Sequence, residues 1–124
     1  MGAVEDAALA RANADQMAAH GETVTYVPAS GATPFDCLMT QAVYELDEAT
    51  GKIVRDACAR SVLHSALAAE GLSMPVVRME RQPGDVVRFA NAAGVLEEWD
   101  VVGAEYVYGM WDLDLERNLR MEPK

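Results

Sequence analysis

The segment from Gln82 to Glu116 constrains the fold of this 124-residue chain more than any other. Pro83-Gly84-Asp85 has the composition of a turn, because proline fixes φ and glycine accepts positive φ. The residues after it are largely β-branched and aromatic, which favours strands. We therefore predict a hairpin and then further strands, with the rest of the chain packed around them. The predicted hairpin pairs 85–90 with 96–102, and the further strands cover 104–109 and 110–116.

Composition limits the class of protein. Hydrophobic residues make up 51% of the chain and charged residues 24%, which is enough to form one packed core. The net charge of −10 argues against binding to a phosphate backbone, which requires clustered Lys and Arg. No signal peptide and no apolar run long enough to span a bilayer are recognisable. We expect a soluble, cytosolic protein in which Cys37 and Cys58 remain free thiols.

The first half of the chain reads as a helix followed by strands and a loop. Residues 4–20 are rich in helix formers, and Gly21 stands where a helix C′ glycine is expected. Val24 and Tyr26 alternate on one face of the next predicted strand. The predicted elements of this half are a strand over 22–28, a longer strand over 35–46, a polar loop over 47–56, a strand to about residue 64, a short helical turn over 65–70 and an extended segment over 74–80.

Near the C-terminus, polar and apolar residues alternate. Trp111, Leu113 and Leu115 are predicted to face the core while Asp112, Asp114 and Glu116 face solvent. Tyr106 and Tyr108 have the opposite parity, so Gly109 is predicted to mark a bulge or bend. We predict one domain over 1–124, mainly β, built as a small antiparallel β-barrel or sandwich of about six or seven strands with an N-terminal α-helix. The helix occupies 1–21, the barrel 22–116 with a long loop around 45–56, and the tail 117–124.

Few residues suggest catalysis or metal binding. His20 lies at the predicted helix C-terminus, which favours a cation. Cys58 and His64 form neither a common zinc pattern nor a complete nucleophilic site. Gly51-Lys52 lacks the remainder of a phosphate-binding loop. We therefore predict no catalytic residue, no cofactor and no metal, and expect the chain not to be an enzyme.

One stretch near the C-terminus is unusually acidic. Between Glu97 and Glu116 there is no Lys or Arg, and the local charge of −7 accounts for most of the net −10. The residues that would form a solvated acidic face are Glu97, Glu98, Asp100, Asp112, Asp114 and Glu116, with Glu105 as the seventh carboxylate. An EF-hand calcium site is disfavoured, because the glycine-containing loop of that motif is missing.

Taken in order, these elements resemble the small head–tail joining (neck or connector) proteins of tailed bacteriophages, of the lambda type. The resemblance runs over most of the chain. It rests chiefly on the turn Arg81-Gln82-Pro83-Gly84-Asp85 and on the hairpin that ends in Trp99-Asp100-Val101-Val102. The helix 3–20, the strands 22–27 and 35–44, the polar loop 45–56 and the strand 61–64 precede them in the same order. The segment from Ser65 to Gly71 departs from the pattern by looking helical.

The resemblance implies a structural virion protein in the phage neck, present in the host cytoplasm during assembly. Such a protein would form a ring, expected to be six-fold, on the portal or adaptor protein and would contact tail proteins. The long loop would then contact neighbouring subunits or the adaptor through Glu45, Asp47, Glu48, Thr50, Gly51, Lys52 and Arg55. The acidic face would line part of the DNA channel, since negative walls repel phosphates without binding the DNA specifically.

Two other classes of function remain open from the sequence. One is a small ligand-binding or enzymatic β-barrel, which would need a deep pocket around Trp99, Trp111 and the tyrosines. The other is a different phage neck or tail module of similar size, such as a tail terminator.

Overall fold

The computed structural model of the chain describes residues 3–46 and 48–117, and it is mainly β, as predicted. Two helices and seven strands follow one another along the chain. They are α1 (Ala3–His20), β1 (Glu22–Val27), β2 (Phe35–Met39), β3 (Val43–Leu46), β4 (Ile53–Leu63), α2 (His64–Ala68), β5 (Val86–Ala90), β6 (Leu96–Val107) and β7 (Met110–Arg117). The predicted tail from 118 onward lies outside the described residues.

All seven strands belong to one antiparallel sheet in the order β2-β1-β5-β6-β7-β4-β3. A further pairing between β2 and β4, at Met39 and Val62, brings the sheet round roughly into a ring. Six strands make up this ring, and β3 pairs with β4 beside it. Closure matters because it pairs strand edges that would otherwise be exposed.

The core fills the inside of the ring. Trp99, Tyr26 and Met39 are the largest fully buried side chains, and the Trp99 ring stacks on Phe89 with centroids 5.4 Å apart. The alternation predicted for β1 and β7 is confirmed, because Val24, Tyr26, Leu113 and Leu115 are all buried. The remaining members of the core cluster are Cys37, Cys58, Val62, Leu67, Val87 and Val101.

The predicted strand over 35–46 is wrong in one respect, because the structure divides it into β2 and β3. Residues 40–42 interrupt it, and Thr40 is held to β4 by two hydrogen bonds with Ser61, one through its backbone N–H (3.0 Å) and one through its Oγ1 (2.8 Å). The break lets the chain leave β1 and continue beside β4. The predicted loop over 47–56 is also too long, because β4 begins at Ile53 and the turn covers only 48–52 of the described residues.

The strands near the C-terminus are longer than predicted. The hairpin of β5 and β6 is confirmed, but β6 continues to Val107 instead of ending at residue 102. The pairing of β6 with β7 shifts register between Val101 and Gly103, which marks a β-bulge or similar irregularity at that point of β6. Gly109 is part of the turn between these strands, where Tyr108 has φ 45° and Gly109 φ 82°. Positive φ at both positions is typical of the tight turns that join antiparallel strands.

The extended segment predicted over 74–80 contains no named strand. It crosses the end of the ring and is attached to β6 by the hydrogen bond from Arg78 N to Val101 O (2.8 Å). Met79 and Gln82 form an isolated antiparallel bridge, which makes a tight turn just before Pro83.

Helix α1 lies on the outside of the ring. Of its described side chains only Met17 is buried, and Asn13 donates a hydrogen bond from Nδ2 to the carbonyl of Tyr108 (3.1 Å). Gly21 follows the helix as predicted. A glycine is needed there because of close packing and not because of positive φ. A β-carbon there would approach the Met17 carbonyl oxygen to 2.5 Å and the Leu38 Cβ to 3.1 Å. The predicted helical turn after β4 is confirmed as α2, with Leu67 in the core.

Candidate functional site

Strands β6 and β7 place most of the acidic residues on one outer surface. Their register sets Asp100 opposite Glu116, Gly103 opposite Asp114, and Glu105 opposite Asp112. Neighbouring strands turn alternate side chains to the same face, so these carboxylates lie together outside the ring, opposite to Leu113 and Leu115. We call this surface, with Glu98, the acidic face.

Two arginines from outside β6 and β7 neutralise one half of the acidic face. Arg78 lies between two carboxylates, with Nη1 2.9 Å from Asp100 and Nη2 3.0 Å from Glu116. The hydrogen bond to Glu116 is the main reason why the pKa of Arg78 is raised. Arg88 on β5 pairs with Glu98 across the hairpin. The predicted acidic face is therefore neutralised in part, by two arginines that lie outside the acidic stretch 97–116.

The other half of the acidic face keeps its negative charge. Glu105, Asp112 and Asp114 have no Lys or Arg partner within the described part of the chain. Asp112 accepts a hydrogen bond from Ser61 Oγ at 2.6 Å. A β-carbon at Gly103 would lie 2.7 Å from Asp114 Oδ2, so glycine is what leaves room for this carboxylate.

Glu97 does not join the acidic face. It alternates with Glu98 and therefore lies on the inner side of β6, the side of Trp99. There it forms a salt bridge with Arg117, at 3.1 Å from Nη1. The Nη2 of the same arginine lies 3.0 Å from Asp56 Oδ1. The structure thus places five of the six predicted channel residues on one face and turns the sixth to the inner side of the sheet.

The predicted contact loop is the tip of the β3–β4 hairpin. Glu45 is exposed on β3, and Glu48, Thr50, Gly51 and Lys52 are exposed in the turn. Gly51 has φ 68°, which favours glycine there. Asp47 and the side chain of Arg55 lie outside what the structure describes. The hairpin also exposes apolar side chains, since Val43 and Leu46 on β3 are largely accessible.

The predicted candidates for chemistry are not brought together. Cys37 and Cys58 are buried free thiols, and burial raises the pKa of each to about 11. Cys58 lies in β4 and His64 begins α2 just after that strand, so about 20 Å of extended chain separates them and they do not form a pair. His64 Nδ1 instead accepts a hydrogen bond from Trp111 Nε1 at 3.2 Å. No group of His, Cys, Asp and Glu that could hold a metal ion occurs among the described side chains.

Asp85 and Arg60 are buried charged residues that the sequence analysis did not single out, and Asp100, which was predicted to face solvent, is only 7% exposed. The Asp85 carboxylate is only 1% exposed and accepts hydrogen bonds from Tyr26 OH, from Val76 N at 2.8 Å and from Ala29 N at 2.7 Å. In the sequence, the position of Asp85 after Pro-Gly indicated only a turn. A charged residue in a sequence is normally expected to face solvent, so neither the burial of Asp85 nor its partners far away in the sequence could be predicted.

Arg60 is the second buried charge that was missed. Its guanidinium carbon lies 4.0 Å from the centroid of the Phe89 ring, Nη1 donates to the Thr40 carbonyl at 3.0 Å, and Nη2 lies 2.8 Å from Glu22 Oε1. This arginine joins the β4 side of the ring to the start of β1. Its contacts are those of a residue that holds the fold together.

The chain offers no helix, within its described residues, that is long and apolar enough to cross a membrane. Searches of known protein families and of curated protein sequences find no match to this chain.

Proposed function

We propose that this chain is a structural subunit of a tailed-phage neck, which joins the DNA-filled head to the tail. The acidic face is the observation that carries the proposal. Glu105, Asp112 and Asp114 lie together on the outside of the sheet, and among the described residues no Lys or Arg pairs with them. A wall of this kind repels phosphates, so DNA can slide past it without binding.

The order of elements also supports the proposal. The helix α1, the strands β1 and β2, the hairpin of β3 and β4, and the hairpin of β5 and β6 occur in the order on which the resemblance to head–tail joining proteins rests. The proposed partners are the portal or adaptor protein, tail proteins and other copies of the chain. In an assembled ring, expected to be six-fold, the acidic face would point toward the channel.

The β3–β4 hairpin is the proposed contact with the neighbouring protein. Its tip exposes charged side chains of both signs, Glu48 and Lys52, beside the exposed apolar Val43 and Leu46. Apolar anchors with a polar rim are common at protein interfaces. A partner with a complementary groove would bury the apolar pair and match the charges around it.

The ligand-binding alternative finds little support in the geometry. Trp99 is 1% exposed and packs in the core against Phe89 and Tyr44. Trp111 Nε1 donates a hydrogen bond to His64 Nδ1. Trp99 and Tyr26 pack inside the ring whereas Tyr106 and Tyr108 are exposed, so these side chains do not gather around one cavity.

A tail-attachment assay tests the proposal. Purified protein is added to tail-less, DNA-filled heads of the phage that encodes it, followed by tails, and joined particles are counted by electron microscopy. We expect joining to depend on the protein, and Lys52→Glu in the hairpin tip to reduce it about tenfold, as loss of about 1.4 kcal/mol of binding would. Arg81→Glu, an equal charge change on another exposed turn, is the matched control. Protein that neither binds heads nor restores joining would refute the proposal.

A further inference from the structure

Strand β3 has one edge that no other described strand covers. It is the last strand in the sheet order and pairs only with β4, so it lies beside the ring and not within it. Among the described residues, no hydrogen bond joins the backbone of Val43–Leu46 to any segment other than β4. In an antiparallel pair, alternate residues point their N–H and C=O away from the partner strand. We call this side of β3 the free edge.

The free edge is regular. The pairing of β3 with β4 shifts between Tyr44 and Glu45, where the partner residue changes from Cys58 to Val54. The extra residues therefore lie on β4, and β3 itself contains no inserted residue. The Tyr44 ring meets the Trp99 ring edge-on with centroids 6.2 Å apart, which holds β3 to the core. A strand already fixed in an extended conformation loses little conformational entropy when another strand is added to it.

Apolar side chains are exposed on both faces of β3. Val43 is 69% and Leu46 64% exposed, and their positions along the strand place them on opposite faces. Lysine and proline commonly protect an exposed edge from pairing, and neither occurs in this strand. The free edge thus combines available backbone groups with apolar side chains that an added strand would cover.

Charge selects the kind of strand that fits the free edge. Residues 45–48 contain three carboxylates, and no Lys or Arg occurs between Arg11 and Lys52. Lys52 lies on the β4 side of the turn, and neither Glu45 nor Glu48 forms a salt bridge with a described Lys or Arg. A second copy of this chain would bring its own charge of −10 and would be repelled. The complementary occupant is a segment of a different protein that carries Lys or Arg.

We propose that β3 binds an extended basic segment of a partner protein by strand addition. Backbone hydrogen bonds along the free edge supply affinity, and side chains at alternate positions supply specificity. Glu45 shares a face with Val43, so basic side chains fit there, with their aliphatic stems over the valine. Apolar side chains fit the opposite face, beside Leu46. The inference rests on the proposed function, in which the β3–β4 hairpin contacts the portal or adaptor, and specifies that contact as strand addition.

Fluorescence anisotropy with labelled six-residue peptides tests strand addition. The probe alternates lysine and valine, and one control peptide alternates glutamate and valine. The other control repeats the lysine–valine sequence with a methyl group on every backbone nitrogen, which removes the donors that a strand needs and leaves the charge unchanged. A contact of this small area is expected to be weak, so the protein is examined from about 10 µM to about 1 mM.

Leu46→Lys on the free edge is compared with Leu96→Lys as the matched control. The two leucines are almost equally exposed, at 64% and 65%, and the substitution changes the net charge by the same amount. Leu96 belongs to β6, which does not pair with β3. Circular dichroism establishes that both variants keep the fold.

We expect the lysine–valine peptide to bind the unmodified chain and Leu96→Lys with affinities within about twofold of each other, and Leu46→Lys about tenfold more weakly. Neither control peptide should bind measurably. Hydrogen exchange of the β3 backbone amides, followed by NMR, should slow when the lysine–valine peptide binds, because its backbone then pairs with the free edge.

The inference is overturned if the lysine–valine peptide does not bind over this concentration range, or if either control peptide binds equally well. Equal losses of affinity for Leu46→Lys and Leu96→Lys would also overturn it. The peptide test uses no phage component, whereas tail attachment to heads measures the joining role itself, so failure of strand addition and failure of the proposed function are distinguishable.

Discussion

Asp85 stands at the start of β5 and binds three segments that are far apart in the sequence. Tyr26 belongs to β1, Ala29 to the loop after it, and Val76 to the segment that crosses the end of the ring. A buried carboxylate is costly unless its lone pairs are satisfied, and here three donors satisfy them. Burial and the contact with Asp85 in turn raise the pKa of Tyr26, which keeps its hydroxyl protonated as the donor.

Asp85→Asn should destabilise the protein by about 2–3 kcal/mol, because the amide replaces one acceptor oxygen by a donor that faces another donor. Urea unfolding followed by tryptophan fluorescence measures the change. The matched control is Asp114→Asn, the same substitution on the exposed acidic face, which should stay within about 0.5 kcal/mol of the unmodified chain. Equal effects at the two positions would contradict the role given to Asp85.

The buried thiols predict a loss of stability at alkaline pH. Burial raises the pKa of Cys37 and of Cys58 from 9.0 to about 11. A raised pKa means that the folded state binds the proton more tightly, so its contribution is complete below pH 9 and disappears as pH rises to about 11. The raised pKa of Tyr26 adds to the loss above pH 10.

We expect the free energy of unfolding to fall between pH 8.5 and pH 11 by on the order of 2 kcal/mol per thiol. Denaturant unfolding at a series of pH values measures it. The variant with both Cys37→Ala and Cys58→Ala should show a flatter profile, even though its stability at neutral pH is lower. A profile as steep as that of the unmodified chain would show that the thiols do not cause the loss.

At the scale of elements, local patterns predicted more than long-range ones. The β5–β6 hairpin and the alternation in β7 follow from neighbouring residues, and both were predicted. The break between β2 and β3 was not, because it depends on Thr40 bonding to Ser61 on another strand. Arg78 on the acidic face was missed for the same reason, since it reaches Asp100 and Glu116 from a segment that belongs to no strand, whereas Arg88 meets Glu98 across the predicted hairpin.

The turn before β5 gives an element-scale prediction. A β-carbon at Gly84 would overlap the backbone nitrogen of Arg78, and the backbone there cannot move without disturbing the hydrogen bond from Arg78 to β6. Gly84→Ala should therefore cost about 3 kcal/mol or more of stability, a large effect for one methyl group. Gly94→Ala has open space around it and should cost only about 1 kcal/mol for its positive φ. Thermal unfolding of the two variants compares them, and a smaller loss for Gly84→Ala would contradict the close packing of this turn.

At the scale of the whole molecule, negative charge is concentrated on one side of a closed sheet. Seven carboxylates between Glu97 and Glu116 meet three arginines, Arg78, Arg88 and Arg117, which leaves a local charge of −4 where the sequence alone indicated −7. What remains is centred on Glu105, Asp112 and Asp114. We propose that this remaining charge faces DNA in an assembled neck.

Labelling the purified Asp114→Cys variant before it is joined to heads and tails tests this proposal most directly. The native thiols are buried with raised pKa values, so a maleimide reagent at neutral pH should modify the introduced cysteine selectively. N-ethylmaleimide serves as the small control label and a polyethylene glycol maleimide as the bulky one, with the unmodified chain treated in the same way. The measured quantity is triggered DNA ejection after tails have been joined. We expect both labels to permit joining and only the bulky label to block ejection, whereas unhindered ejection with the bulky label in place would contradict the proposal.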